Sequence, residues 1–181
     1  MEAVDTIINP QKVDPVQIKG RIEDRKRDLI RQKKWHEEVV PGDLRVAKPK
    51  KFVDIIAQVK RDTKALDTDV LNELLGTKGQ LGVDEFKFVR AGNKIFITSY
   101  GNLHLDMAIA KGVIPEDGGF IKRKPGTAEL EIYGGSMGLE IEEDNENRQA
   151  TLKTLQGLDP SIKFVQAKAT QVNPFPTHIQ R

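Results

Sequence analysis

Apolar and polar residues alternate through much of the C-terminal half, and this pattern predicts β-strands. Two alternating runs, 85–91 and 94–100, flank Gly92-Asn93, an arrangement typical of a β-hairpin. Apolar residues at helical spacing follow in 103–113, where Asn102 is the expected N-cap. The remaining predicted elements are strands within 119–125, at 129–135 and at 161–169, and a helix at 144–158. This half therefore predicts the order strand–strand–helix–strand–strand–helix–strand.

The N-terminal half has the longer apolar spacing of helices and is rich in lysine and arginine. Residues 1–15 contain two prolines and predict an extended arm, and residues 16–38 predict a long helix. The apolar residues of this helix form a narrow stripe, comprising Ile18, Ile22, Leu29, Ile30 and Trp35. Because so narrow a stripe cannot stabilise a long helix alone, the helix is expected to lie on another surface.

Shorter elements follow the long helix. A loop is predicted at 39–51, where prolines and a glycine interrupt the pattern, and an amphipathic helix is predicted at 52–62. A third, short helix is expected to be capped by Asp67 or Thr68 and to end at Gly76. The N-terminal half therefore predicts an arm and three helices.

The composition narrows the functional classes. The chain has 181 residues, 38% of them apolar, enough for one ordinary domain with additional elements. It contains no cysteine, which excludes disulfides, thiolate metal sites and a cysteine nucleophile. Its histidines, His36, His104 and His178, lack the spacing of metal ligands, and the glycine-rich motifs of nucleotide-binding enzymes are missing. We therefore predict neither a metal nor another cofactor.

Charge is distributed unevenly along the chain. The net charge of +2 argues against a dedicated nucleic-acid binder. Residues 19–64, however, contain 15 basic and 8 acidic residues, a local excess of 7. This excess indicates either a docking surface for RNA, an acidic protein or an anionic membrane, or a solvated helical surface. Both interpretations stay open, although the scarcity of aromatic residues there argues against base stacking.

The sequence also bears on localisation. No apolar run of about 18 residues occurs, so no membrane-spanning segment is predicted. The first ten residues lack the apolar core of a signal peptide and the arginine-rich character of a transit peptide. We therefore expect a cytoplasmic or organellar protein that is not secreted, and a mitochondrial location stays open.

Three motifs occur in order in the C-terminal half: 86-FKFV-89, 104-HLDM-107 and 131-EIYGGSMG-138. They resemble the F-K-Y-V strand, the H-A-D-I helix start and the H-V-Y-G-Y-S-M-A-Y-G segment of the phosphohistidine phosphatase / Janus family. The resemblance covers about residues 84–170. It implies an α/β fold, a small mixed β-sheet with two helices, here preceded by an N-terminal helical extension.

The chain changes character near Gly79–Val83, from polar, lysine-rich helical patterns to alternating strands, and this change predicts a division. Residues 1–80 are expected to form an arm and charged helices that dock to a partner. Residues 84–170 are expected to form the phosphohistidine-phosphatase-like domain, and residues 171–181 a tail.

The resemblance also implies a phosphate-binding catalytic site formed by the matching residues. His104 would be the catalytic histidine, acting as general base on water or as phosphoryl acceptor, and Lys87 would supply positive charge. Phosphate would be bound by the glycine-rich loop, comprising Gly135, Ser136, Met137 and Gly138. Histidine chemistry near neutral pH and backbone N–H groups at a strand–loop–helix junction both suit phosphoryl transfer. Such a reaction needs no metal when enough donors surround the phosphoryl oxygens.

This chain departs from the family pattern at several positions. Leu103 replaces an aromatic residue before the histidine, and Gly135 replaces the second tyrosine of the loop motif. Five acidic residues follow the loop: Glu140, Glu142, Glu143, Asp144 and Glu146. We expect them to support the first turn of the helix at 144–158, by about 0.3–1 kcal/mol each. They would also repel a phosphate dianion.

Two functional hypotheses result. The first is an active protein phosphohistidine phosphatase, a hydrolase. The second is a catalytically inactive module of the same fold that serves as a structural subunit of a large assembly. In the second, the contact would be made by residues 1–80.

Overall fold

The computed structural model describes residues 9–39, 52–76, 85–99, 101–124 and 127–172. Its helices are α1 (Pro15–Val39), α2 (Phe52–Asp62), α3 (Thr68–Gly76), α4 (His104–Lys111), α5 (Arg148–Leu158) and α6 (Ala169–Val172). Its strands are β1 (Lys64–Ala65), β2 (Glu85–Ala91), β3 (Lys94–Ser99), β4 (Asp117–Arg123), β5 (Glu129–Tyr133) and β6 (Lys163–Gln166). The predicted mixed α/β class is confirmed.

The strands form a six-stranded mixed sheet in the order β1-β3-β2-β4-β5-β6. Neighbouring strands are antiparallel except β5 and β6, which are parallel. The predicted hairpin is β2 and β3, in which Phe88 lies opposite Ile97. Gly92 closes it with a φ of 62°, a conformation that favours glycine.

Helices cover both faces of the sheet. Helices α1, α2 and α4 contribute to one apolar cluster, which contains Ile18, Ile22, Val59, Val89, Phe96, Met107, Ala108, Leu139 and Ile141. Helices α3 and α5 contribute to the other, which contains Leu66, Leu71, Phe88, Ile95, Ile97, Ile121, Leu130, Ile132, Leu155, Ile162 and Phe164. The long helix α1 therefore lies on this chain itself, with Ile18 and Ile22 buried.

Local signals determine several helix ends, and those of α2 and α3 agree with the prediction. Helix α1 begins at Pro15, after Asp14, whose Oδ1 accepts the Val16 N–H at 2.9 Å. Helix α3 is capped by Asp67, whose Oδ1 accepts the Val70 N–H at 2.9 Å. Helix α2 has its predicted bounds, whereas most of the predicted loop at 39–51 lies outside the described residues.

Other predictions were wrong in detail. Asn102 does not cap α4: its side chain donates to Thr98 Oγ1 at 2.7 Å, and the residue at the N-cap position, Leu103, has no side-chain bond to the helix. Helix α5 begins at Arg148 rather than at residue 144. The two-residue strand β1 was not predicted, and it pairs with β3. The domain division near residues 80–84 stays a prediction.

Within the described ranges, no helix has both the length and the apolarity required to cross a lipid bilayer.

Candidate functional site

His104, the predicted catalytic residue, is the first residue of α4 and is completely buried. Its Nε2 lies 2.9 Å from the carbonyl oxygen of Gly119 on β4, within hydrogen-bonding distance. Its ring meets the Phe120 ring edge to face, with centroids 5.6 Å apart. The imidazole is therefore held between the helix and the sheet by contacts within the chain.

Lys87, the predicted source of positive charge, lies on the central strand β2 between Thr98 of β3 and Phe120 of β4. Only 3% of its surface is exposed, and its Nζ donates to the Asn102 carbonyl oxygen at 2.5 Å. Because Asn102 is two residues before His104, the structure brings the lysine and the start of α4 together.

The glycine-rich loop after β5 closes on itself. The Ser136 N–H donates to the Ile141 carbonyl at 2.7 Å, and the Ile141 N–H donates back to Ser136 at 2.9 Å. The Leu139 N–H donates to Ser136 Oγ at 3.2 Å. Ser136 is buried, whereas Met137 is 62% exposed. At least one of the predicted phosphate-binding N–H groups is therefore already bonded within the loop.

Glycine is required at position 135 by close contact with the returning chain. A Cβ there would lie 2.2 Å from the Ile141 carbonyl oxygen, which is shorter than any allowed contact. Gly138 faces α4 instead, and a Cβ there would lie 3.3 Å from Leu105 Cδ1. Both glycines thus have a packing role.

His104 and the residue after the glycine-rich loop meet at Gly118 on β4, which pairs with Val89 of the first motif. A Cβ at Gly118 would lie 3.5 Å from His104 Cδ2 and 3.4 Å from Leu139 Cδ1. The imidazole and the residue that follows the loop therefore approach the same point of the sheet. The predicted site residues come from β2, from α4 and from the loop after β5, and these segments are neighbours in space.

The acidic residues after the loop do not occupy the first turn of a helix, so the expected interaction with the helix dipole was wrong. The segment before α5 is folded into turns by side-chain bonds instead: Asn145 Nδ2 donates to Asp117 Oδ1 at 2.9 Å and to the Glu142 carbonyl at 2.8 Å. The Asn147 N–H donates to Asn145 Oδ1 at 2.9 Å. Because these bonds hold the segment in turns, helix α5 begins only at Arg148.

One of these acids binds the glycine-rich turn directly. Glu143 Oε2 accepts the N–H of Gly134 at 2.6 Å and that of Ala169 at 2.7 Å. Gly134 has a φ of 68°, a conformation that favours glycine. The anion held by this turn is therefore a carboxylate of the chain itself.

Helix α1 covers the loop from outside. Arg21 Nε donates to the Gly138 carbonyl at 3.0 Å, and its guanidinium also pairs with Glu140 at 3.6 Å. Arg25 makes a two-fold bond to Asp106 on α4, at 2.8 and 3.0 Å. The hydrogen bond to Asp106 raises the pKa of Arg25 above its usual value, although burial opposes the shift. These contacts fix α1 over both α4 and the loop.

A buried polar network on the other face of the sheet was missed by sequence reasoning. Asp117, with no exposed surface, accepts from the Gly118 N–H, Asn145 Nδ2, Thr151 Oγ1, and Nε and Nη2 of Arg148, at 2.7–3.1 Å. Arg148 Nη2 also donates to the Gly134 carbonyl at 2.7 Å. The network therefore joins β4, α5 and the turn that begins the loop. No sequence pattern indicated it, because Asp117 precedes the predicted strand and Arg148 stands among polar residues typical of a surface.

The described residues contain no group of three or more histidine or acidic side chains arranged to hold a metal ion. The predicted site thus has one imidazole, one ammonium group and a turn of backbone amides. The imidazole, the ammonium group and the Ser136 N–H all make contacts within the chain.

The chain matches no protein-family model, no curated protein and no solved structure at the significance required.

Proposed function

We propose that the chain is a non-catalytic binding module with a phosphohistidine-phosphatase-like arrangement, acting as an accessory subunit of a larger assembly. The observation that carries the proposal is the complete burial of His104, with Nε2 2.9 Å from the Gly119 carbonyl. A general base must come within hydrogen-bonding reach of the proton that it removes. An imidazole between helix and sheet would have to leave the core to do so.

The loop contacts support the same conclusion. An incoming phosphoryl group would compete with the Ile141 carbonyl for the Ser136 N–H, and it would meet Arg21 already bonded to Gly138. It would also approach the carboxylate of Glu143, which is bonded to the neighbouring Gly134 N–H. Each of these groups is engaged within the chain, so binding an anion here would first break native hydrogen bonds.

Docking is proposed for the N-terminal helices because α1 carries an exposed apolar side chain next to a buried one. The helix has 25 residues, a length of about 37 Å. Among the side chains of α1 that the structure describes, residues 15–32, the buried apolar ones are Ile18, Ile22 and Leu29. The next residue, Ile30, is 52% exposed, and it marks the surface on which a partner contact is proposed.

The docking proposal is tested with an epitope-tagged chain expressed in its native source. The size of the complex that contains it is measured by sedimentation. Ile30→Asp should shift the chain toward the size of the free protein. Val16→Asp, a matched change at a residue that is 77% exposed, should leave the complex intact. Sedimentation of the wild-type chain as a free protein, or no difference between the variants, would refute docking through this surface.

A protein partner is favoured over RNA by the ion pairs of α1. Five of its cations are paired with carboxylates of the chain, namely Arg21, Arg25, Lys26, Arg27 and Arg31. Paired cations contribute less to binding a polyanion because the pairs must first be broken. RNA contact through residues 19–64 thus stays the weaker proposal.

An active phosphatase is kept as the second candidate because the motif segments converge around Gly118. In that case His104 would act as base or phosphoryl acceptor after α4 moved away from β4. Phosphate release that depends on His104 would support this candidate, and the absence of such release would remove it.

A further inference from the structure

The N-terminal arm, residues 9–14, lies along the acidic loop, residues 140–146, and pairs with it at one β-bridge. The Gln11 N–H donates to the Asp144 carbonyl at 2.9 Å, and the Gln11 carbonyl accepts the Glu146 N–H at 2.8 Å. Gln11 and Asn145 thus form a parallel β-bridge. The main chain of the loop is therefore bound by an extended segment from the other end of the sequence.

The side chain of Gln11 adds chemical selectivity to this pairing. Its Nε2 donates to the Glu140 carbonyl at 2.7 Å, and its Oε1 accepts the Glu142 N–H at 2.7 Å. A primary amide can donate and accept at once, whereas an ionised carboxylate can only accept. Glutamate at position 11 would place a carboxylate oxygen against the Glu140 carbonyl oxygen. Asparagine at this position is one methylene shorter, so its amide would reach less far toward the loop. The loop is thus complementary to glutamine.

A third contact fixes the direction of the arm. The Val13 N–H donates to Glu146 Oε2 at 2.6 Å, and the Val13 side chain is partly buried against the cluster that contains Ile18. Asn9, Pro10 and Lys12 are exposed. Recognition is therefore concentrated on alternate residues, as in an extended peptide whose side chains point to opposite sides.

From these contacts we infer that residues 140–146 form a recognition site for an extended peptide that carries glutamine, and that residues 9–14 occupy it in cis. The loop provides the main-chain groups of Glu140, Glu142, Asp144 and Glu146 and the carboxylate of Glu146. Its five acidic residues favour a ligand with little negative charge. The inference is independent of whether the neighbouring loop binds phosphate.

The occupant is held by polar contacts with little apolar burial, so the arm is expected to open locally before the domain unfolds. A segment of a partner with the same glutamine register could then replace it. The site would in this way offer a second contact to an assembly, separate from the exposed surface of α1.

The first test uses hydrogen exchange of the full chain, followed by NMR at the Glu142 and Glu146 N–H groups. Gln11→Glu should speed exchange at both positions by about tenfold or more, because a hydrogen bond is lost and an acceptor faces an acceptor. Lys12→Ala, a change at an exposed neighbour, should leave both rates as in the wild type. Unchanged exchange in Gln11→Glu would overturn the inference.

The second test supplies the ligand in trans. The full chain with Gln11→Pro lacks both the amide and the N–H of the bridge, so its loop should be free. An acetylated and amidated peptide of residues 9–14 should shift the Glu142 and Glu146 N–H signals in a saturable manner. The same peptide with Gln11→Glu should bind at least about tenfold more weakly.

A response to neither peptide, or an equal response to both, would overturn the inference. If Gln11→Pro does not fold, Gln11→Ala replaces it as the host for the same titration. In that host the peptide competes with a weakened arm, and the preference for glutamine over glutamate remains the deciding result.

Discussion

Replacing Asp117 by asparagine should strongly destabilise the fold. Asp117 has no exposed surface, and its carboxylate accepts five hydrogen bonds. Arg148, its partner, is 1% exposed and bonds to Asp117 through both Nε and Nη2. The change would put an NH2 group where an acceptor is needed, and it would leave the guanidinium without a counter-charge inside the protein.

The magnitude follows from the burial of both partners. Removing one member of a buried ion pair costs about 3–5 kcal/mol, because the remaining charge stays desolvated without compensation. Arg148 Nη1 already has no hydrogen-bond partner, so few acceptors are available to replace the carboxylate. For a chain of this size, each kcal/mol corresponds to about 2–4 °C in melting temperature. The expected loss is therefore roughly 6–20 °C.

The assay is urea denaturation followed by far-ultraviolet circular dichroism, with a thermal melt on the same samples. Asp144→Asn, a change in the same segment at a side chain that makes no bond within the described residues, should stay within about 0.5 kcal/mol of the wild type. Arg148→Met should cost less in the Asp117→Asn background than alone, by about 1 kcal/mol or more. A loss below about 1 kcal/mol for Asp117→Asn, or simple additivity in the double variant, would refute the reasoning.

Three further predictions concern the loop, α1 and its charges. Gly135→Ala should lower the free energy of unfolding by about 2 kcal/mol or more, because the new Cβ would meet backbone atoms at 2.2–2.9 Å. Gly157→Ala, with open space around it, should raise that free energy by up to about 1 kcal/mol. Chemical denaturation measures both variants, and equal effects would contradict this reasoning. Arg25→Gln should lower the free energy of unfolding by about 1–2 kcal/mol in the same assay, and this loss should be constant from about pH 6 to 9. The pKa of Arg25 is raised, so the stability that its charge contributes is lost only as pH rises through that pKa, far above neutrality. A cost that disappears within that pH range would be inconsistent with the ion pair. If residues 19–64 do not contact RNA, filter binding should show a log–log salt slope of about −1 or shallower, and a slope near −4 would restore the RNA proposal.

Local signals in the sequence predicted most of the helices and strands. The alternation of 85–91 and the Gly92-Asn93 turn are short-range features, and they produced β2 and the hairpin as expected. Helix α2 likewise has the bounds that its amphipathic spacing predicted, and Asp67 caps α3 as expected. Such features are predictable because the interactions that determine them lie within a few residues.

The start of α5 could not be predicted because distant contacts determine it. Asn145 binds Asp117, 28 residues away, and the bridge between Gln11 and Asn145 spans most of the chain. Without these bonds the acid-rich segment has the composition of a first helical turn. Its actual role, with Glu143 bound to the Gly134 N–H, depends on a turn whose geometry no local pattern specifies.

The resemblance predicted that the motif segments are neighbours in space, but the environment of their residues could not be predicted. The motifs around His104, Lys87 and Ser136 come from segments that the fold places side by side. Burial of the imidazole and closure of the loop depend on Gly119 and Ile141, which do not belong to a recognisable motif.

The most direct test of a non-catalytic role is phosphate release from a phosphohistidine peptide by the purified, folded chain. His104→Gln serves as the matched variant, since its amide can still donate to the Gly119 carbonyl but cannot act as a general base. An active phosphohistidine phosphatase in parallel verifies the substrate. We predict release at the rate of the buffer blank for both the wild type and the variant. Release by the wild type that is lost in His104→Gln would contradict the proposal and establish the chain as an enzyme.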